Sequence, residues 1–204
     1  MRVARIAAPV TVLGPGRRAA VWVQGCSLAC DGCASQDTWS ESGGVEMAPA
    51  EVAARVISLV DALGLTGLTL SGGEPFQQPS DLAHVVAVVR EACPDLDVLA
   101  FSGYSGAAAA RRGPELYALL DVLIAGRYDR TLASAGPLRA SSNQQVVVLS
   151  ERGAARVPEA AGGLQVAADG EDLFVVGLPQ AGDLDRLAAE LASRGVVLSG
   201  ASWS

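Results

Sequence analysis

Short runs of aliphatic and β-branched residues alternate with helical periods along this chain. That alternation leaves few folds open, because it is the pattern of βα units wound around a parallel sheet. Strands are expected at residues 10–13 and 20–23, parted by the turn Gly14-Pro15-Gly16, then at 68–70, 98–101, 122–125 and 145–149. Pro49 opens a helix whose face carries Val52, Val56, Val60 and Leu63 and which stops at Gly64. Pro79 opens another, with Leu82, Val85, Val86 and Val89 as its apolar stripe, and residues 114–120 form a third. The pattern then changes. Residues 164–168 and 173–176 flank Asp169-Gly170 and read as a hairpin. Leu184, Leu187 and Leu191 mark a last helix ending near Gly195, and residues 196–198 a closing strand. The Ala- and Gly-rich stretch 154–163 is expected to loop between two parts, a core at 1–150 and a C-terminal extension at 151–204 packed on it.

With 204 residues the chain suits one domain with a substantial core. Hydrophobic residues make up 50% but aromatics only 4%, so the core is aliphatic, as in sheets covered by helices. A net charge of −7 argues against a nucleic-acid partner, which needs clustered Lys and Arg. No apolar run approaches the roughly 20 residues that span a bilayer. Arg2 and Arg5 precede an apolar stretch, but Pro9, Thr11 and the Gly14-Pro15-Gly16 turn interrupt it too early for a signal peptide. It reads as a first strand of a cytoplasmic protein with no membrane partner.

Three of the four cysteines lie within eight residues, Cys26-Ser27-Leu28-Ala29-Cys30-Asp31-Gly32-Cys33, and Cys93 stands apart. A disulfide scaffold spreads its cysteines, whereas close spacing points to a metal or redox site. Three thiolates suit three irons of a [4Fe–4S] cube and leave the fourth open to a small chelating molecule. A structural zinc site needs a fourth ligand, and His84 and Cys93 lie far along the chain. A second motif, Ser71-Gly72-Gly73-Glu74-Pro75, follows a strand. Its glycines would let a ligand approach peptide groups left free to bond it, and Glu74 would accept hydrogen bonds from an ammonium group.

The spacing Cys-x3-Cys-x2-Cys resembles that of the radical S-adenosylmethionine (SAM) superfamily, and Gly72-Gly73-Glu74-Pro75 resembles the segment that binds the methionyl amino group there. Several other stretches resemble, in order, the anaerobic ribonucleotide-reductase-activating proteins, which are glycyl-radical-enzyme activases. They are Gly14-Pro15-Gly16-x-Arg18, Gln24-Gly25-Cys26, Asp37-Thr38-Trp39 with Gly43-Gly44, Phe101-Ser102-Gly103-Tyr104, Gly126-Arg127-Tyr128 and Arg139-Ala140-Ser141-Ser142-Asn143-Gln144. The resemblance covers roughly residues 8–150. It departs at Ala34, where histidine is frequent, at Ala140, where glycine is frequent, and in the segment beyond 150.

The resemblance implies an α/β fold, an incomplete (β/α) barrel of radical SAM type with a small C-terminal β-hairpin plus helix. It implies a [4Fe–4S] cluster on Cys26, Cys30 and Cys33, and S-adenosyl-L-methionine near Gly32, Ala34, Gly72, Gly73, Glu74, Ser102 and Asn143. Ser102 is either a SAM contact or a turn cap, and Asn143 either a ligand contact or part of a solvated loop. Trp39 is expected as a packing lid over the cysteine loop. Arg111 and Arg112 are expected as a solvated pair at a helix end. The implied activity is reductive cleavage of SAM to a 5′-deoxyadenosyl radical that makes a glycyl radical on a partner enzyme, such as an anaerobic ribonucleotide reductase. A low-potential donor such as flavodoxin or ferredoxin would supply the electron. Two other readings remain open: a radical SAM enzyme acting on a peptide or small molecule, and a non-catalytic cluster-binding redox module.

Overall fold

Pro49 and Pro79 stand at the first positions of the two long helices, where a missing N–H costs nothing. The computed structural model describes residues 1–133, 136–169, 172–180 and 182–196. Its first half runs β1 (Arg2–Val10), β2 (Gly14–Pro15), β3 (Arg18–Val23), β4 (Val45–Glu46), α1 (Pro49–Leu63), β5 (Gly67–Gly72), α2 (Pro79–Ala92) and β6 (Asp97–Ser102). Then follow α3 (Gly106–Arg112), α4 (Pro114–Ala118), β7 (Val122–Ala125), β8 (Gln145–Val148), α5 (Glu151–Arg156), β9 (Ala160–Ala161), β10 (Leu164–Asp169), β11 (Asp172–Gly177) and α6 (Asp183–Ser193).

A seven-stranded sheet in the order β4-β1-β3-β5-β6-β7-β8 organises the chain as a mixed α/β fold. The inner four strands, β3, β5, β6 and β7, are parallel, because helical segments carry the chain back between them. β1, β4 and β8 are antiparallel to their neighbours. No α-helix lies between β7 and β8 among the described residues, so the chain returns in the opposite sense. Alternate residues divide between two layers. Val21, Leu70, Ala100 and Leu123 pack against Val52 and Val56 of α1 and Leu82, Val85 and Val86 of α2. The other face carries Ala20, Leu99 and Ile124, covered by residues of the hairpin and by Leu138.

Several elements differ from the sequence expectation. The first strand occupies Arg2–Val10, ending where a strand at 10–13 was expected to begin. Val12 and Leu13 are apolar because they are buried beside Val176 of β11, not because they belong to the main sheet. The stretch 154–163 is not a plain loop. α5 is capped by Ser150, whose hydroxyl accepts from the Gly153 N–H, and β9 pairs with β2. The hairpin β10–β11 forms with Val166 opposite Val175, and α6 carries Leu184, Leu187 and Leu191 as expected. Gly170 of the hairpin turn and the expected strand beyond Val196 lie outside the described residues. Among the described residues no helix is long and apolar enough to cross a membrane.

The N-terminal ends of the parallel strands meet in a buried ion pair. Arg18 is wholly buried, its Nη2 2.7 Å from Asp97 Oδ2, and Nε donates to Thr69 Oγ1 at 2.6 Å. Further donations reach the carbonyls of Pro15 and Leu68. Glycine is required beside it: a Cβ at Gly67 would stand 2.0 Å from the guanidinium, and one at Gly14 2.8 Å. Arg156 of α5 approaches the other Asp97 oxygen at 3.5 Å. The Gly14-Pro15-Gly16-x-Arg18 motif therefore builds this edge of the sheet.

Candidate functional site

The chain leaves the C-terminal end of β3 straight into the cysteine loop, and a web of polar contacts fixes the departure. Gln24 is buried and donates to the carbonyls of Asp37 (3.2 Å) and Ser40 (2.8 Å). The Gly25 and Cys26 N–H groups donate to the carbonyls of Thr38 and Trp39. A Cβ at Gly43 would lie 2.6 Å from the Gln24 amide and would push it off the Asp37 and Ser40 carbonyls. Gln77 accepts from the Ser27 N–H and donates to Ser27 Oγ at 2.6 Å. From the segment after β7, Arg127 donates to the Leu28 carbonyl, and Arg130 pairs with Asp31 at 3.2 Å. The scattered stretches of the sequence pattern, from Gln24 to Arg127, are thus largely the scaffold of one loop.

Cys26, Cys30 and Cys33 are half-buried thiols that line one cavity. Burial pushes the Cys26 thiol above its ordinary pKa, opposed by backbone N–H groups of Leu28 and Ala29 directed at its sulfur. Ala29 lies in the left-handed region (φ 44°), in the kind of turn that aims successive N–H groups at one anion. Burial likewise raises Cys33, opposed by the Ser35 N–H at 3.4 Å and the Trp39 indole N–H. Trp39 thus does more than cover the loop. Donors gathered around sulfurs favour thiolates and, at an iron–sulfur cluster, tune its potential. Among the described residues no three His, Cys, Asp or Glu side chains converge closely enough for a single metal ion. Ligands to separate corners of a cube need not converge on one point, and the three thiols share one cavity. Cys93 lies in another cavity with Val60, Leu65 and Pro94, and His84 is exposed on α2.

Gly72, Gly73, Glu74, Ser102, Gly32 and Ala34 line the same cavity as the three cysteines. Asn143 does not; it is exposed, with Nδ2 donating to the Arg127 carbonyl at 2.8 Å. Its neighbour Gln144 lines the cavity instead. The two glycines also permit a close approach of backbone segments. A Cβ at Gly72 would lie 2.6 Å from the Val23 carbonyl oxygen, and one at Gly73 2.3 Å from that of Gly25. The N–H groups of Gly73 and Glu74 are spent on those two carbonyls, at 2.7 and 2.9 Å. The Gly-Gly pair presses the strand end against the root of the cysteine loop.

Glu74 is 1% exposed. Burial raises its pKa, while the N–H groups of Phe76 and Gly103, the Ser102 hydroxyl and the charge of Arg112 oppose the rise. Oε1 accepts from Phe76 N (2.9 Å) and Ser102 Oγ (2.8 Å), and Oε2 from Gly103 N (2.8 Å). A carboxylate has about four acceptor positions, so one remains on Oε2. Ser102 also accepts from the Tyr104 N–H at 3.1 Å, combining turn capping with orientation of Glu74. Arg112 lies 4.2 Å over the Tyr104 ring, and is a stacking partner as well as a last-turn charge on α3. No sequence pattern pointed to Leu178, Pro179 and the end of β11, which line the cavity from the far end of the chain.

A family model described as a 4Fe-4S single cluster domain matches residues 12–147. An anaerobic ribonucleoside-triphosphate reductase-activating protein of Vibrio cholerae is 34% identical over 144 residues, covering 68% of this chain and 92% of the relative. Proteins of the same name from Haemophilus influenzae and Enterobacteria phage T4 are 33% and 29% identical, covering 87% and 86% of their own lengths and 64% and 66% of this chain. The matched region holds the three cysteines, Glu74 and the loop scaffold, and on these grounds the chain belongs to the 4Fe-4S single cluster domain family that includes the anaerobic ribonucleoside-triphosphate reductase-activating proteins.

Proposed function

We propose that this protein is a radical SAM activase that installs a glycyl radical on an anaerobic ribonucleotide reductase. The observation carrying the proposal is the meeting of three thiols and the buried carboxylate of Glu74 in one cavity, at the C-terminal ends of parallel strands, in a chain whose relatives bear that name. Active sites of βα folds gather at that edge. The sheet, with end strands β4 and β8, is read as the incomplete barrel of that superfamily. Residues 1–150 are read as its core and 151–204 as an extension.

Cys26, Cys30 and Cys33 would hold the [4Fe–4S] cluster, and Glu74 the methionyl ammonium of SAM. When bound, the pair would supply a 5′-deoxyadenosyl radical that takes a hydrogen atom from a glycine Cα of the partner. The chain's own work is positional. Gln24, Gln77 and Arg127 hold the cysteine loop, Ser102 and Gly103 orient Glu74, and Phe101, Leu13 and Trp22 keep the cavity apolar and poor in water. A flavodoxin or ferredoxin would deliver the electron in the cytoplasm, where thiols stay reduced.

Anaerobic incubation with reductant, SAM and the candidate reductase tests this by electron paramagnetic resonance. A glycyl radical on the reductase is expected, with deuterium from that glycine Cα appearing in 5′-deoxyadenosine. SAM cleavage without label transfer would refute the activase role. Ala in place of Cys26, Cys30 or Cys33 is expected to abolish cluster absorbance and iron content, and Cys93→Ala to leave both unchanged.

A further inference from the structure

The cavity has a wall that the family match does not include, since that match ends at residue 147. The hairpin is tied to the sheet by specific contacts. Gln165 Nε2 donates to the Pro9 carbonyl at 2.8 Å, and its Oε1 accepts from the Thr11 N–H at 3.1 Å. The Arg5 guanidinium lies 4.0 Å over the Phe174 ring. Val176, 3% exposed, packs with Val10, Val12, Leu13 and Ala20. These contacts hold β11 at the β1–β3 end of the sheet. Tyr128 and Gln144, which line the same cavity, come from the β7–β8 end.

We infer that Val175, Leu178 and Pro179 form a substrate-selecting wall, which admits an extended segment or protruding loop of a protein partner and excludes a broader surface. The wall is apolar and the chain itself supplies it. β11 and the Tyr128–Gln144 side line the same cavity as the cysteine loop, so a reacting group that enters between them would meet this wall first. A glycine suits such a passage, since it has no side chain to clash with either wall. The identity of the partner rests on the function proposed above, but the wall does not.

The test compares alkylation of the cluster-free protein by a small maleimide and by a bulky one, resolved by cysteine with mass spectrometry. Cys93, in its separate cavity, is the internal reference. Leu178→Ala is expected to raise the bulky-to-small rate ratio several-fold at Cys26, Cys30 and Cys33 and leave it unchanged at Cys93. Leu178→Trp is expected to lower the ratio at the same three positions. In cluster-loaded protein, Leu178→Trp is expected to raise the KM for the reductase by a larger factor than it lowers kcat, whereas Leu187→Ala on α6 changes neither. Unchanged ratios in both variants, or a change shared by Cys93, would overturn the wall. If the ratios shift as expected but no glycyl radical ever forms, the wall stands and the activase reading falls.

Discussion

Glu74 belongs to two structures at once. It caps the short turn Pro75–Gln77 through the Phe76 N–H and ties that turn to the end of β6 through Ser102 and Gly103. Removing it outright leaves buried donors unpaired, at about 1–3 kcal/mol for each. Glu74→Ala is therefore expected to lower stability as well as ligand affinity, and is a poor probe of binding alone. Glu74→Gln is the sharper variant. It keeps an acceptor for Phe76 and Ser102 and removes the charge, at the cost of setting an amide NH2 against the Gly103 N–H, so its stability is measured beside its affinity. Its affinity for SAM is expected to fall about ten- to a hundredfold, the loss of roughly 1.5–3 kcal/mol from a bond to a charged group. Isothermal titration of cluster-loaded protein measures it, with unchanged affinity as the result that removes Glu74 from the binding site.

At the scale of elements, the site depends on how closely β5 meets the root of the cysteine loop. The N–H groups of Gly73 and Glu74 reach across to Val23 and Gly25, and only glycine permits the approach. Gly73→Ala would drive a methyl group into the Gly25 carbonyl, one residue before Cys26. The expected outcome is partial loss of iron per chain after reconstitution, with far-ultraviolet circular dichroism little changed. Full occupancy in this variant would show that the loop adapts. The short crossing from β7 to β8 matters in the same way, because Arg127 and Arg130 lie on it and grip the loop from the opposite side.

At the scale of the molecule, the two ends of the parallel strands do different work. The C-terminal ends carry the cavity; the N-terminal ends carry the buried pair of Arg18 and Asp97, with Arg156 of α5 beside it. Burial lowers the Arg18 pKa, and the partner Asp97 opposes that shift. Breaking a buried pair by removing one partner costs about 3–5 kcal/mol, since the other charge is left uncompensated. Arg18→Met is therefore expected to lower unfolding stability by about that amount in denaturant titrations. Iron content and SAM affinity of the folded fraction are expected to stay the same, because the pair lies at the far edge of the sheet. A selective loss of SAM affinity without destabilisation would place Arg18 in the cofactor site.

Much of this was legible from local pattern. The apolar stripes of α1 and α2, the strands β5, β6 and β7, the hairpin and α6 follow from periodicity and from Pro and Gly at helix ends. The cysteine spacing and Gly72-Gly73-Glu74 pointed to one chemistry, and the fold brings these residues to one cavity. What local pattern could not carry was the purpose of residues that act through partners distant in sequence. That Gly72 and Gly73 also pack against Val23 and Gly25 is visible only in the fold. Nothing in the Gly14-Pro15-Gly16-x-Arg18 stretch shows that Arg18 is buried against Asp97, 79 positions away. The antiparallel return of β8 has no signature in its own residues. The placement of β11 over the cavity depends on Arg5, Pro9 and Thr11, more than 150 residues earlier. Composition and period encode which face of an element is buried; which element buries it is settled only when non-local contacts form, and that choice made the C-terminal hairpin part of the site.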